Sequence, residues 1–200
     1  MSRTAAVART TRETTVRVTL ALDGSGAAEV QTGVGFLDHL LETLARHARL
    51  DLTLTCEGDL RVDDHHTAED CALALGEALD RALGERRGIS RFGWAYAPLD
   101  EALARAVVDC SGRPFAAVDL GLGREAIGGL ACENITHVLR SLALAARLTM
   151  HADVLRGEND HHRAEAAFKA VALALRQAVS RSGFDDVPST KGTLGGSRDD

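Results

Sequence analysis

The chain has 200 residues, of which 45% are hydrophobic, so it can bury a core as one domain or as two small ones. Its 23 Lys and Arg and 29 Asp and Glu give a net charge of −6, which argues against nucleic acid or an anionic membrane as a partner. No apolar run reaches the length of a signal peptide core or a membrane span, so the sequence predicts a cytoplasmic protein with small-molecule chemistry.

The first half of the chain contains strand patterns and helix patterns together. Residues 14–26 are rich in strand-forming residues and end at a glycine, and residues 50–56 alternate apolar and polar side chains as a half-buried strand does. Apolar residues fall at helical spacing over 37–48 and again over 71–82. This combination is typical of an α+β fold.

The second half has patterns of the same kinds. Residues 103–120 are strand-rich and interrupted by a glycine, and apolar residues recur at helical spacing over 168–179. The segment RRGISRFG, residues 86–93, lies near the junction of the halves. The cysteines have no CxxC spacing and are expected to be reduced residues that line the core: Cys56, Cys71, Cys110 and Cys132.

Two segments of the first half recur in the second. Residues 63–83 match residues 159–179 at nine of 21 positions without a gap, and residues 39–52 match residues 137–150 at seven of 14. Each copy supplies one histidine and then, about two dozen residues later, the pattern HHxxE. This repetition predicts that the chain is a duplicated half.

The duplication sets the expected architecture. We expect an α+β fold in which each half is a mixed β-sheet with two helices packed on one face. The first half is assigned to residues 1–92 and the second to residues 93–194. The composition of residues 195–200 predicts a disordered tail.

The HHxxE pattern places candidate metal ligands on one helical face. If it opens a helix, Glu69 lies alongside His65 or His66, because residues three and four apart share a face. Adjacent histidines point about 100° apart on a helix and are therefore expected to bind different ions. The duplicated set is enough for two sites of three imidazoles and one carboxylate each: His39, His65, His66, Glu69, His137, His161, His162 and Glu165.

Sites of this kind, rich in nitrogen and with open positions, suit Mn, Fe or Zn, and the absence of a thiolate argues against structural zinc. The open positions predict a substrate ligand. His47 and His151 have no counterpart in the duplication. His47 lies eight residues after His39 and can therefore lie near the site, whereas His151 is expected to be an ordinary histidine.

Eight segments of the chain resemble the imidazoleglycerol-phosphate dehydratases of histidine biosynthesis, in that family's order. The two DHHxxE blocks and the terminal PSTKG are the most specific, and we expect the monofunctional form because no phosphatase-like extension is present. Thr43 stands where many members have Gln, and residues 118–136 match only loosely. The matching segments are RTTRET (9–14), GVGFLDHLLETLARH (33–47), CEGDLRVDDHHTAEDCALALGEAL (56–79), RGISRFG (87–93), PLDEALA (98–104), DCSGRPF (109–115), GENDHHRAEAAFKAVALALRQA (157–178) and PSTKGTL (188–194).

The resemblance implies a lyase that removes water from D-erythro-imidazole-glycerol phosphate to give imidazole-acetol phosphate, with two Mn²⁺ per active site bound by the eight residues above. The proton lost from C2 lies beside no carbonyl, so metal ions on the substrate's imidazole would favour imidazolate and help expel the C3 hydroxyl as a diazafulvene-like intermediate forms. Glu13 is the leading candidate for acid–base work, with Glu69, Glu165 and His39 as candidate helpers in catalysis.

The resemblance also implies substrate contacts and an assembly. Cations and hydroxyl donors suited to the phosphate are Arg91, Arg113, Lys169, Ser189 and Lys191. The other expected substrate contacts are Glu13, His39, His47, His65 and Glu69. A homo-oligomer is expected, by resemblance a 24-mer built from trimers with metal sites shared between subunits.

Two other classes stay open on the residues alone. A two-metal phosphohydrolase would use a hydroxide that bridges closely spaced ions, usually with Asp-rich ligands, whereas this set is dominated by histidine. A non-catalytic module would use the ions to hold subunits together, and Glu13 and the arginine and lysine set would then be dispensable. The dehydratase hypothesis requires them for turnover.

Overall fold

Two four-stranded sheets, a short hairpin and four helices make up residues 3–194, the part of the chain that this computed structural model describes. The elements of the first half are β1 (Thr4–Thr10), β2 (Thr14–Ala21), β3 (Ala28–Gln31), α1 (Gly35–Ala48), β4 (Asp51–Gly58) and α2 (His65–Leu83). Those of the second half are β5 (Phe92–Leu99), β6 (Ala102–Asp109), β7 (Phe115–Asp119), β8 (Ala126–Ile127), β9 (Leu130–Ala131), α3 (Cys132–Ala145), β10 (Thr149–Arg156) and α4 (Asp160–Val179).

The two large sheets have the same topology. Their strand orders are β1-β2-β4-β3 and β5-β6-β10-β7, and in each the last pair is parallel while the other pairs are antiparallel. The registers also correspond, since Thr10 lies opposite Thr15 in the first sheet and Pro98 opposite Leu103 in the second. The predicted α+β fold with a duplicated half is therefore confirmed.

The β8–β9 hairpin is an insertion in the second half. The first three strands of the two halves correspond at an offset of 88 residues, as Val30 and Val118 do, whereas His39 and His137 correspond at 98. Ten additional residues, the difference between 98 and 88, therefore lie between β7 and α3.

The helices lie on one face of each sheet, as predicted, and pack across the two halves. Helix α2 covers β1 and β2, and α4 covers β5 and β6. Helix α1 packs against α4, and α2 packs against α3. Alternate residues of β2 point into this helical layer, where Val16, Val18 and Leu20 are buried, while Arg17 and Thr19 are exposed. The hydrophobic effect thus holds the four helices between the sheets.

Several sequence predictions can be checked against this fold. All four cysteines are buried and unpaired, as expected. Both HHxxE patterns open helices, which begin earlier than the apolar spacing indicated, at His65 and Asp160. Strand β5 begins at Phe92, next to the proposed boundary of the halves, and that boundary stays a prediction.

The predicted tail, residues 195–200, lies outside the described residues. Among residues 3–194, none of the helices combines the length and the apolar character that a membrane span requires.

Close packing between β5 and α4 gives a test of this architecture. A Cβ added at Gly93 would lie 1.9 Å from the carbonyl oxygen of Ala174 and 2.8 Å from the amide nitrogen of Ala178, both backbone atoms. We therefore expect Gly93→Ala to lower the free energy of unfolding by about 1–3 kcal/mol, because the strand must move away from the helix. Thermal unfolding at matched protein concentration measures this change.

Gly35→Ala is the matched control. Gly35 is helical, and nothing lies within 4 Å of an added Cβ. Its unfolding midpoint should stay at that of the wild type or rise slightly, because alanine favours helix. An unchanged midpoint for Gly93→Ala would contradict the close packing of β5 on α4.

Candidate metal centre

The histidine pairs are fixed at the beginnings of α2 and α4. Asn159 caps α4 and accepts a hydrogen bond from the amide of His161 at 2.9 Å, while Asp63 accepts one from the amide of His65 at 3.0 Å. The first histidine of each pair lies four residues before a glutamate, and residues at that spacing share a helical face. Each helix therefore presents one imidazole and one carboxylate in the same direction.

His39, His161 and Glu165 form one cluster, which we call the α4 cluster. The Oε2 atom of Glu165 lies 3.3 Å from Nε2 of His39 and 3.3 Å from Nε2 of His161. One ligand atom from each residue lies within 4.8 Å of the others. The remaining carboxylate oxygen of Glu165 lies 2.7 Å from Nζ of Lys169. Burial alone raises the pKa of Glu165, but the hydrogen bonds from Lys169 and His39 hold it below its usual value.

His65, Glu69 and His137 form the second cluster, the α2 cluster. Nε2 of His137 lies 2.9 Å from Oε1 of Glu69, and the rings of His65 and His137 stack with centroids 5.1 Å apart. Their ligand atoms also lie within 4.8 Å of one another. Nδ1 of His65 donates to Oδ1 of Asn134 at 2.8 Å, which leaves Nε2 available for an ion.

The two clusters are related by the duplication. Each combines the single histidine of one half with the HxxxE portion of the other half, because α1 packs on α4 and α3 packs on α2. Neither half contains a complete cluster by itself. The pseudo-symmetric arrangement is therefore a product of the way the halves pack.

The donor atoms of each cluster fit a divalent transition metal. Two imidazole nitrogens and one carboxylate oxygen converge, and no thiolate takes part, which suits Mn, Fe or Zn in a site with open positions. The surroundings differ between the clusters. The ring of Phe36 packs on His161 with centroids 5.0 Å apart, whereas Asn134, the residue that corresponds to Phe36, binds His65. The α4 cluster is therefore the more apolar on this side.

The second histidine of each pair lies outside the clusters. Nδ1 of His66 lies 3.0 Å from Oδ2 of Asp59, and Nδ1 of His162 lies 2.7 Å from Oε2 of Glu101. These hydrogen bonds raise the pKa of both histidines. Hydrogen bonds from the Asn159 amide and from His162 lower the pKa of Glu101 to about 2. The metal-binding role of His66 and His162 stays a prediction.

Glu13 and His47 lie beside these groups. Oε1 of Glu13 is 3.7 Å from Nε2 of His66, and the Glu13 side chain is 51% exposed. His47 is half-buried on α1, and burial and the charge of Lys169 lower its pKa, which places it near the α4 cluster. His151 is on the outer face of the second sheet, where its ring contacts Phe115. Thr43 is buried within α1.

The predicted phosphate-binding residues form a separate group. Nε of Arg91 binds Asp109 at 2.7 Å, and Nη1 of Arg91 donates to the carbonyl of Pro188 at 2.7 Å, just before Ser189 and Lys191. Arg113 lies 3.9 Å from the same aspartate. Asp109 thus pairs with both arginines, and Arg91 also contacts the C-terminal segment.

Arg91 and the α4 cluster lie at opposite ends of α4. The amide of Arg91 donates to the carbonyl of Ala178, in the last turn of the helix, whereas His161 is in the first turn. At 1.5 Å per residue, the 17 residues between them correspond to roughly 25 Å. Of the predicted phosphate contacts, Lys169 alone lies at the α4 cluster.

Sequence reasoning missed Asp59, Glu101, Asn134 and Phe36 as neighbours of the candidate ligands. Their contacts depend on turns and helix packing that the sequence patterns did not resolve. For Glu101 a signal was available, because it precedes β6 as Glu13 precedes β2.

Comparisons with known proteins identify the family of the chain. A family model described as imidazoleglycerol-phosphate dehydratase matches residues 32–175. The protein of that name from Eremothecium gossypii is 56% identical over 94% of this chain and 96% of its own length. The one from Phaffia rhodozyma is also 56% identical, over 96% of this chain and 96% of its own length.

Two solved structures share the fold at a TM-score of 0.81. The dehydratase from Staphylococcus aureus is 35% identical and covers 89% of this chain and 99% of its own. The one from Pyrococcus furiosus, in complex with (S)-C348, is 39% identical and covers 94% of this chain and 100% of its own. The resemblance seen in the sequence motifs is therefore confirmed: the chain belongs to the imidazoleglycerol-phosphate dehydratase family and is a hydro-lyase.

Proposed function

We propose that this chain catalyses the manganese-dependent dehydration of D-erythro-imidazole-glycerol phosphate to imidazole-acetol phosphate, as a cytoplasmic enzyme of histidine biosynthesis. Family membership supports the reaction and the pathway. The observation that carries the metal dependence is the pair of matching clusters, each with two imidazoles and one carboxylate. Four histidines and two glutamates favour this activity over a two-metal phosphohydrolase with Asp-rich ligands.

Each cluster would hold one Mn²⁺, with His66 and His162 as further protein ligands. When bound, the ions would supply Lewis acidity to the imidazole ring of the substrate and would favour its imidazolate form, which would ease loss of the C3 hydroxyl. The protein's own contribution is to hold the ring in one orientation. His39, His65 and Glu69 then lie against the substrate at its reacting end.

Glu13 is the group that we assign to proton transfer. Its carboxylate is half exposed and lies beyond hydrogen-bond distance from His66, so it is available to a substrate. The proton on C2 passes to the carboxylate, and the C3 hydroxyl takes up a proton and leaves as water. The resulting enol then becomes the ketone of imidazole-acetol phosphate.

The substrate site is proposed to lie between subunits. The rise along α4 from His161 to Ala178, whose carbonyl binds the amide of Arg91, is roughly 25 Å, far longer than a three-carbon chain that carries an imidazole and a phosphate. One chain therefore cannot place its own arginine group and its own α4 cluster around one substrate. The arginines of one subunit and the metal ligands of another would complete the site.

The outer face of the second sheet supports association with further copies of the chain. Phe92, Trp94 and Tyr96 project from β5 and are 50%, 63% and 58% exposed, and Phe115 is exposed on the same sheet. Exposed aromatic clusters of this kind mark interaction surfaces. We propose a homo-oligomer, a 24-mer built from trimers, in which such faces are covered.

Turnover of imidazoleglycerol phosphate by metal-stripped protein, with and without Mn²⁺, tests the proposal. We expect product only when Mn²⁺ is present, together with a shift of the same sample to a large particle. A large particle that forms no product would leave the metal clusters as assembly sites and would contradict the catalytic proposal.

Glu13→Gln separates proton transfer from metal binding. We expect kcat to fall by about 10²- to 10⁴-fold, because the amide cannot accept the C2 proton, while Mn²⁺ stoichiometry and particle size stay unchanged. Steady-state kinetics and metal analysis measure both. The control is Glu29→Gln, an exposed carboxylate on β3, which should keep full activity. Full activity in Glu13→Gln would remove this residue from the mechanism.

Glu69→Gln and Glu165→Gln test the two clusters one at a time. Each change removes the single carboxylate of one cluster, so each variant should bind one Mn²⁺ per chain tightly where the wild type binds two. Equilibrium dialysis followed by elemental analysis gives the stoichiometry. Retention of two tightly bound ions by either variant would rule out its cluster as a metal site.

A further inference from the structure

Glu101 occupies the position in the second half that Glu13 occupies in the first. Strands β1 and β2 correspond to β5 and β6 at an offset of 88 residues, and Glu13 and Glu101 each immediately precede the second strand of their pair. The duplication thus placed one glutamate at each β-turn next to the HHxxE pairs. The contacts of the two glutamates nevertheless differ.

Glu101 is held on both of its carboxylate oxygens. Oε1 accepts hydrogen bonds from the amides of Glu158 at 3.1 Å and Asn159 at 2.9 Å, and Oε2 accepts one from Nδ1 of His162 at 2.7 Å. Glu13 has its closest ionic contact 3.7 Å away, at His66. Glu101 therefore links the β5–β6 turn to the beginning of α4, whereas Glu13 stays available.

In the first half a different residue, Asp59, orients His66, the second histidine of the pair. Asp59 directly follows β4 and binds Nδ1 of His66, and the residue that directly follows β10 is Gly157, which has no side chain to offer. In the second half the acceptor must come from elsewhere, and Glu101 supplies it. Asp59 and Glu101 thus do the same work from different positions.

A hydrogen bond at Nδ1 fixes which nitrogen of a histidine can bind an ion. When a carboxylate accepts from Nδ1–H, the lone pair is on Nε2, and the ring is held in one orientation. We propose that Glu101 is a positioning residue that holds His162 with Nε2 directed toward a metal ion. Because both carboxylate oxygens of Glu101 are occupied in this way, proton transfer is left to Glu13 alone. The proposal rests on the proposed function, since His162 is taken there as a ligand.

Glu101→Gln tests the proposal with Mn²⁺ alone as the probe. The side-chain amide nitrogen of glutamine would donate a hydrogen bond to Nδ1 of His162. This favours the tautomer in which Nε2 carries the proton. In a Mn²⁺ titration of stripped protein followed by the electron paramagnetic resonance of free Mn²⁺, we expect one ion to keep wild-type affinity and the other to bind about 10- to 100-fold more weakly. Turnover should recover when Mn²⁺ is raised, which Glu13→Gln should not show.

The matched control is Glu77→Gln, which changes a half-buried carboxylate that pairs with Arg81 on α2 and lies outside both clusters. It should keep both affinities. Thermal unfolding of the metal-free variants separates positioning from folding, and the Glu101→Gln midpoint should stay near that of the wild type. A lower midpoint with two unchanged Mn²⁺ affinities would overturn the positioning role and leave a structural one. Failure of the wild type to bind two ions would overturn both this proposal and the metal-dependent function.

Discussion

The site depends on one packing constraint, the contact of each helix with a helix of the opposite half. Helices α2 and α3 approach so closely that a Cβ at Gly76 would lie 2.7 Å from the carbonyl oxygen of Leu142. The neighbouring faces are apolar and buried, and Phe168 is fully buried in α4. Such packing permits little sliding, so it fixes the histidine of one helix opposite the glutamate of the other. The ligand geometry is therefore a consequence of the core.

The duplication explains both the symmetry of the clusters and the differences around them. The ligands themselves correspond between halves, but Phe36 is replaced by Asn134, and Lys169 has an apolar counterpart, Leu73. Glu13 and Glu101 have the same position and different contacts. The two candidate metal clusters, alike in their own residues, thus have different surroundings.

The sequence predicted those features that depend on periodicity and repetition. The duplication, the helices and the helix starts at HHxxE could be predicted from residue spacing, because residues three and four apart lie on the same face of a helix. Strand β5 was not identified, since its outward residues, among them Trp94 and Tyr96, are as apolar as its inward ones and give no alternation. The contacts of the second histidine of each pair, with the turn residues Asp59 and Glu101, arise only in the folded chain and gave no signal in the spacing.

We propose that helix packing across the duplicated halves builds two metal sites. Anomalous diffraction at the manganese edge, from crystals grown with Mn²⁺, tests this most directly because it locates each ion. We expect two anomalous peaks per chain, one within reach of His39, His161 and Glu165 and the other within reach of His65, Glu69 and His137. A single peak, or peaks away from both clusters, would contradict it.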